Sequence, residues 1–439
     1  MDFKKLKKED LIYNEGLIQE TIKKFGFSFE GKKFPYSIQP LVILENEYEY
    51  FLKSTEKLSE CLEIALKAYK EDEYVQQFFS YYSKYKKLFE IEQPGRNIVI
   101  SRFDVVWNGG TDYKVFECNT CCPGGISILG TIKREYIKLP IIKEFLNNKK
   151  YTPFICDYTE NFINALVQQY KISTDYTPLK IGIAFANHNG YYTYELNEFA
   201  EIAKKMGFNA VVCDLKDLTF NNEILRYNEI EINIVYNKVD QLMLSDSLLA
   251  PIIEAIKKQK AISVNPYSAM FITESKMILA LLQDKVFQDK YLTIEQKEVI
   301  DKHIPWTRKV EEKITTYKNK EISLIPFLIT NKDLFVLKVD NETRESNIYI
   351  GKDLNKNEWE LLLKEKIGKN WIVQEYCSIP KIEVPVIEKN EIIFEDRYYG
   401  IDFFMFNGKF SGIVSRISEK KIINVGSGGF EQPVLVIEK

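Results

Sequence analysis

Arg102, Asp104, Glu117 and Asn119 are the residues whose types and spacing could do chemistry. Between them, Val105-Val106-Trp107 and Tyr113-Lys114-Val115-Phe116 flank a turn stretch, Asn108-Gly109-Gly110-Thr111-Asp112, which predicts strand, tight turn, strand. Side chains alternate faces along a strand, so Arg102 and Asp104 share a face, as do Glu117 and Asn119. Pairing Asn108 with Tyr113 sets Asp104 opposite Glu117 and Arg102 opposite Asn119, with Cβ atoms about 5 Å apart. Facing carboxylates repel unless something cationic lies between them. Two carboxylates and an amide oxygen are hard donors that suit Mg²⁺, which binds through a few carboxylates together with substrate phosphates. The plain alternative is a surface ladder of charged pairs.

The composition narrows what else could be chemical. The 439 residues carry a net charge of −3, which argues against a nucleic-acid surface. No stretch approaches the length of a membrane span, and the charged start Met1-Asp2-Phe3-Lys4-Lys5 leads into no apolar core. Seven scattered cysteines fit a reducing cytoplasm better than a disulfide framework. Cys118, Cys121 and Cys122 lack a second cysteine pair at zinc-like spacing, so they read as packing or loop thiols, with Cys118 pointing into the fold. The two histidines, His188 and His303, cannot build a paired-histidine zinc site. His188 lies in a polar loop at a strand end and is a candidate substrate contact. His303, in a Lys-rich segment, is expected to be exposed. Carboxylates, lysines, arginines and amides are left to build the site.

The elements that must position these residues follow from periodicity. Residues 1–92 read as a helical region, with apolar residues at helical intervals from Leu11 to Phe25 and from Leu58 to Tyr69. Residues 93–175 hold the hairpin and helices near Ile128–Glu135, Pro140–Leu146 and Phe162–Tyr170. Residues 176–270 alternate strands (Leu179–Ala186, Ala210–Cys213, Ile232–Asn237) with helices (Glu195–Met206, Leu249–Gln259), which implies a parallel open α/β unit. Ligands in such sheets bind beyond the carboxyl ends of the strands, which marks the loop Asn187-His188-Asn189-Gly190 and Asp214. Residues 271–439 carry a helix bearing Ser275-Lys276, strands Phe335–Lys338 and Trp371–Tyr376, a helix Trp359–Lys366, and a hairpin turning at Asn407-Gly408. Lys276 and Lys338 stand beside apolar runs, where a lone ammonium is costly unless paired, so each is a candidate anion ligand. No Gly-x4-Gly-Lys-Ser/Thr phosphate loop occurs, and Gly426-Ser427-Gly428-Gly429 alone reads as a flexible turn.

From about residue 96 onward, the order of these motifs resembles the circularly permuted ATP-grasp ligases, the group that includes glutathionylspermidine synthase. The resemblance rests on Arg102-x-Asp104, Glu117-x-Asn119, Ser275-Lys276, Leu337-Lys338, Glu358-Trp359-Glu360, Gln374-Glu375-Tyr376, Ser415 to Ser418, Asn424 and Gly428-Gly429. It implies an α/β (α+β) ATP-grasp architecture in permuted order, behind the N-terminal helical region. It also implies an ATP- and Mg²⁺-dependent carboxylate–amine ligase that forms an amide through an acyl phosphate. Asp104, Glu117 and Asn119 would hold the metal. Lys276 and Lys338 would meet the phosphates, and Gln374, Glu375, Tyr376 and Cys377 the adenine and ribose. Arg102 and Arg416 would stabilise the transferring phosphoryl group, with His188 and Asn424 toward substrate. The partners implied are small-molecule or peptide carboxylates and amines, with no nucleic acid and no membrane; oligomeric state is not legible. One departure is the segment Val339 to Asn347, which lacks the glycines of the family's phosphate-covering lid and brings acids near a triphosphate. It keeps open a second reading, a degenerate ATP-grasp protein that binds nucleotide or a partner without catalysis.

Overall fold

The computed structural model describes the chain apart from residues 1, 25–27, 30, 31, 34, 122, 148–157, 191–192, 341–346, 389–390, 422, 424–427 and 439. Residues 341–346 of the lid segment and Asn424 therefore lie outside the described residues.

A long helix, α1 (Glu45–Glu71), dominates the N-terminal region. The predicted hairpin forms as β1 (Ile100–Trp107) and β2 (Tyr113–Asn119), antiparallel, turning through Gly109 and Gly110, both at positive φ. Next comes a four-stranded parallel sheet: β3 (Gly182–Asn187), β4 (Asn209–Asp214), β5 (Ile234–Asn237) and β6 (Ile262–Val264), in the order β6-β5-β3-β4. The helices Thr193–Lys205 and Asp246–Lys257 connect its strands, as the alternating pattern predicts. The first strand starts later than expected, and Leu179 is fully exposed.

An antiparallel sheet follows, β7 (Thr307–Lys309), β8 (Phe335–Val339), β9 (Ile348–Ile350) and β10 (Trp371–Glu375), in the order β7-β10-β8-β9. The C-terminal strands β11 (Lys381–Glu388), β12 (Glu391–Phe406), β13 (Lys409–Ser418) and β14 (Phe430–Gln432) join the hairpin. The resulting sheet runs β14-β13-β12-β1-β2, with β11 also paired to β12. Asn407 and Gly408 both take positive φ, as the tightest hairpin turns require.

This last sheet has two unlike faces. On one, Phe103, Val105, Trp107, Tyr113, Ile401 and Phe403 are buried in the main core, where Phe51 of α1 packs 5.1 Å from Phe403 and 5.5 Å from Tyr113 between ring centroids. On the other, Ile100, Phe404, Phe406 and Val414 pack with Phe162 of the helix Tyr158–Ser173 and with Phe185 and Tyr236 of the parallel sheet. The polar residues Arg102, Asp104 and Asp402 alternate onto that second face, beside its apolar patch.

Two expectations are corrected. Ser275 and Lys276 do not lie within a continuous helix; a π-turn (Ala269–Thr273) precedes them and the helix starts at Met277, with Lys276 at its N-cap. His303 is buried, stacked 3.8 Å from the Tyr113 ring, with Nδ1 3.0 Å from the Tyr113 carbonyl and Nε2 2.9 Å from Tyr50 Oη. The burial that α1 and the hairpin impose pushes its pKa down to about 4.

Candidate active site

The hairpin register places Asp104 opposite Glu117 and Arg102 opposite Asn119, as the alternation predicts. It does so by a different route. At the turn Trp107, not Asn108, pairs with Tyr113, and a bulge between Asp104 and Val105 on the pairing shifts the register by one. The extra residue is Phe116. The bulge leaves Phe116 and Glu117 both half-buried, and both line the same cleft.

Besides Arg102, five strands each bring a charged residue to this part of the face. In sheet order they are Glu431, Arg416, Asp402, Asp104 and Glu117, with Arg416 paired to Glu431 and Asp402 to Asp104. Asp104 is the hub. Arg102 Nε donates to its Oδ1 (2.8 Å) and Arg102 Nη2 to its Oδ2 (3.0 Å). Arg416 Nη2 donates to Oδ2 (3.0 Å), and Asn119 Nδ2 to Oδ1 (2.8 Å). Burial alone would raise the Asp104 pKa, but the two guanidinium groups hold it below the usual carboxylate range. The same Arg416 nitrogen donates to Asp402 Oδ1 at 2.8 Å; there burial prevails and the pKa is raised. Burial pushes Glu431 up to about 7.

Both lysines reach the hairpin. Lys276 Nζ lies 3.0 Å from Glu117 Oε1; burial opposes its charge, yet Glu117 raises its pKa. The segment is anchored by the neighbouring Glu274, whose Oε2 accepts the backbone N–H groups of Thr120 and Cys121 at the end of β2. Lys338 Nζ donates to Gln374 Oε1 (2.8 Å) and sits 4.8 Å from the centre of the Phe116 ring. Burial lowers its pKa to about 8. Asp340, an acid of the glycine-poor segment, is not among the residues that line the cleft, but its charge helps to raise the Lys276 pKa. It is buried and accepts from Tyr82 Oη (2.5 Å), Ser275 Oγ (2.8 and 2.9 Å) and Asn370 Nδ2 (3.1 Å).

Around these groups opens a cleft of about 910 Å³, its mouth included. One part is charged, with Asp104, Glu117, Lys338, Asp402 and Arg416. The other is apolar, with Val336, Ile348, Ile350 and Ile379, and is edged by the strand end Gln374, Glu375, Tyr376 and Cys377. Tyr317 Oη donates to Glu375 Oε1 at 2.8 Å. The Tyr376 N–H is engaged by the Leu334 carbonyl (2.7 Å). Burial raises the Cys377 thiol to about 11, which makes it inert at neutral pH.

His188 stands apart, in a second, open depression of about 650 Å³ with Lys216, Ser245 and Ser247. Its Nδ1 is 3.0 Å from Asp214 Oδ1. Cys118 and Cys121 are both buried, and the Cys121 thiol donates to the Val239 carbonyl (3.4 Å); Cys122 lies outside the described residues.

The chemistry of the donors fits a hard divalent cation: carboxylates on adjacent strands, an amide, and two buried carboxylate oxygens, Asp402 Oδ2 and Glu431 Oε2, with no hydrogen-bond partner; of these two residues Asp402 lines the cleft. Their present arrangement is an ion-pair network. Among the described residues, no three acidic, histidine or cysteine side chains already converge as a metal cage. A cation would replace arginine and lysine contacts rather than fill a preformed cage.

Sequence reasoning missed Asp402 and Glu431. A signal existed for the first: Asp402 is the one charged residue in the apolar run Ile401–Phe406, the same kind of cue that marked Lys338.

Comparison with known proteins agrees with this architecture. Residues 12–304 match the family described as glutathionylspermidine synthase preATP-grasp. The fold resembles that of a glutathione synthetase-like effector from Globodera pallida, with a TM-score of 0.66 at 12% identity over 99% of this chain and 98% of that one. Partial likenesses, each over 51% of this chain and 68% of the other, link it to a D-alanyl-alanine synthetase A from Vibrio cholerae (TM-score 0.27, 10% identity) and a RiPP-associated ATP-grasp ligase from Chryseobacterium gregarium (TM-score 0.24, 14% identity). No curated protein matches the sequence. Among the described residues, no helix is long and apolar enough to cross a membrane.

Proposed function

Since the chain belongs to the glutathionylspermidine synthase preATP-grasp family, within the ATP-grasp ligase superfamily, we propose that it is an ATP- and Mg²⁺-dependent carboxylate–amine ligase. The observation that carries this reading is the five-strand charged ladder centred on Asp104 at one end of a cleft whose other end is apolar. A nucleotide divides the same way, into an apolar base and an anionic tail.

The base lies against Phe116, Val336 and Ile350, and the ribose hydroxyls meet Glu375. Because the Tyr376 N–H is already bonded, adenine recognition falls to the Tyr376 carbonyl and the Cys377 backbone. Lys338 and Lys276 meet the phosphates. Asp104, Glu117 and Asn119 would hold Mg²⁺, which when bound neutralises charge on the phosphate oxygens. A substrate carboxylate oxygen attacks the γ-phosphorus, and the bond to the bridging oxygen breaks, leaving ADP and an acyl phosphate. Arg102 and Arg416 balance the charge of the transferring group. An amine nitrogen then bonds to the acyl carbon; phosphate departs, the amine gives up a proton, and an amide remains. Such chemistry asks the protein for positioning and charge neutralisation. A site without histidine can supply both.

The test is ADP and phosphate release with Mg²⁺ across a panel of small-molecule and peptide carboxylates and amines. Glu117→Gln is expected to abolish turnover with the fold intact by circular dichroism; normal turnover in that variant removes the metal-ligand assignment. The glycine-poor segment after Lys338 favours the second reading, nucleotide binding without catalysis. Tight ADP binding with no release from any pair in the panel would select it.

A further inference from the structure

Asp402 has no place in the motif set that suggested the metal site. It nevertheless lines the cleft, directly opposite Asp104 on the neighbouring strand, and is 2% exposed. Its two oxygens are in unlike situations. Oδ1 accepts from Arg416 (2.8 Å). Oδ2 is buried with no hydrogen-bond partner; the nearest ion-pair contact is Arg102 Nε at 3.9 Å, beyond bonding range. The four bonds to Asp104, by contrast, occupy both of its oxygens. An acid serving only to hold Arg416 would need Oδ1 alone. Like charges directly opposed across a strand pair destabilise it, and a buried carboxylate oxygen without a donor carries an uncompensated desolvation cost. Both penalties vanish if the missing partner is a cation brought in with the substrate.

We infer that Asp402 supplies an oxygen to the divalent cation held against the nucleotide phosphates, on the Arg416 side of Asp104. This rests on the magnesium reading above and extends it to a residue on a third strand. The site then joins the hairpin to the C-terminal strands, and the cation is bound only when β12 is docked on β1.

The probe is Mn²⁺, with binding to the full-length protein in the presence of ADP followed by electron paramagnetic resonance of the free ion. Asp402→Asn is expected to weaken Mn²⁺ at least tenfold while metal-free ADP affinity stays within twofold of wild type. Unchanged Mn²⁺ affinity overturns the inference. An equal loss of metal-free ADP affinity also overturns it, because it marks Asp402 as a support for Arg416. A measurement on the unmutated protein covers the case in which the variant does not fold: Fe²⁺ with ascorbate and ADP cleaves the backbone beside bound metal. Cleavage within β12 near residue 402 supports the inference, and cleavage confined to the hairpin overturns it. Wild-type protein that binds no Mn²⁺ sinks the magnesium reading itself, an outcome distinct from wild-type binding that Asp402→Asn leaves untouched.

Discussion

A lysine buried in an apolar setting has two states to choose from, and Lys338 sits near the balance point. Burial holds its pKa down to about 8 without nucleotide. Phosphate oxygens favour the ammonium form, so they raise that pKa. The sign follows: above about pH 8 the free protein has lost the proton that the bound form needs. Nucleotide binding at pH 8.5 is expected to take up a large fraction of one proton, and affinity is expected to fall as pH rises past 8. Calorimetry in two buffers of different ionisation enthalpy measures the uptake; Lys338→Met should show none. At this scale much was legible. Lys338, Lys276 and Arg416 were marked by charge in apolar runs or by motif, and the structure brings all three to the hairpin: Lys276 to Glu117, Arg416 to Asp104 and Lys338 to the Phe116 carbonyl. His303 was not legible. Its neighbours in sequence are charged, but Tyr50 and Tyr113, which bury it, come from distant segments.

Between elements, Asp340 ties together three parts of the chain. It lies just past the end of β8 and accepts hydrogen bonds from Ser275, beside Lys276, and from Tyr82 of the N-terminal region. The spacing of Lys276 and Lys338 therefore depends on one buried carboxylate. Asp340→Asn is expected to cost about 2 kcal/mol of stability, the scale of lost hydrogen bonds to a charged group. It should also weaken nucleotide binding, because Lys276 and Lys338 lose their common anchor. Tyr82→Phe should cost about 1 kcal/mol. Urea unfolding and nucleotide titration check both. From sequence, Asp340 reads as an acid that repels a triphosphate; only the fold shows its oxygens engaged by Tyr82, Ser275 and Asn370. The hairpin itself was legible because alternation and turn residues are local signals. Its bulge at Phe116 was not, because a bulge is set by what the two strands must bury on each face.

For the whole molecule, the site sheet cannot be separated from the N-terminal helices. Its face opposite the site rests on α1, with Phe51 in contact with rings at Trp107, Tyr113 and Phe403. Removing residues 1–92 would expose that apolar face, so the remainder is expected to be insoluble or to lack near-ultraviolet circular dichroism when expressed alone. A well-folded 93–439 fragment that binds ADP would contradict this. What the sequence determined by itself is the local part of the protein: the strand–turn–strand of the hairpin, the parallel α/β unit, the Asn407-Gly408 turn and the lysines stranded in apolar runs. These depend on periodicity and turn chemistry over a few residues. Tertiary structure decided the rest: Asp402 and Glu431 in the ladder, the arginines gripping Asp104, and the burial of His303. Each of those needs strands and helices far apart in the chain to choose their neighbours, and that choice is made by burying whole faces together.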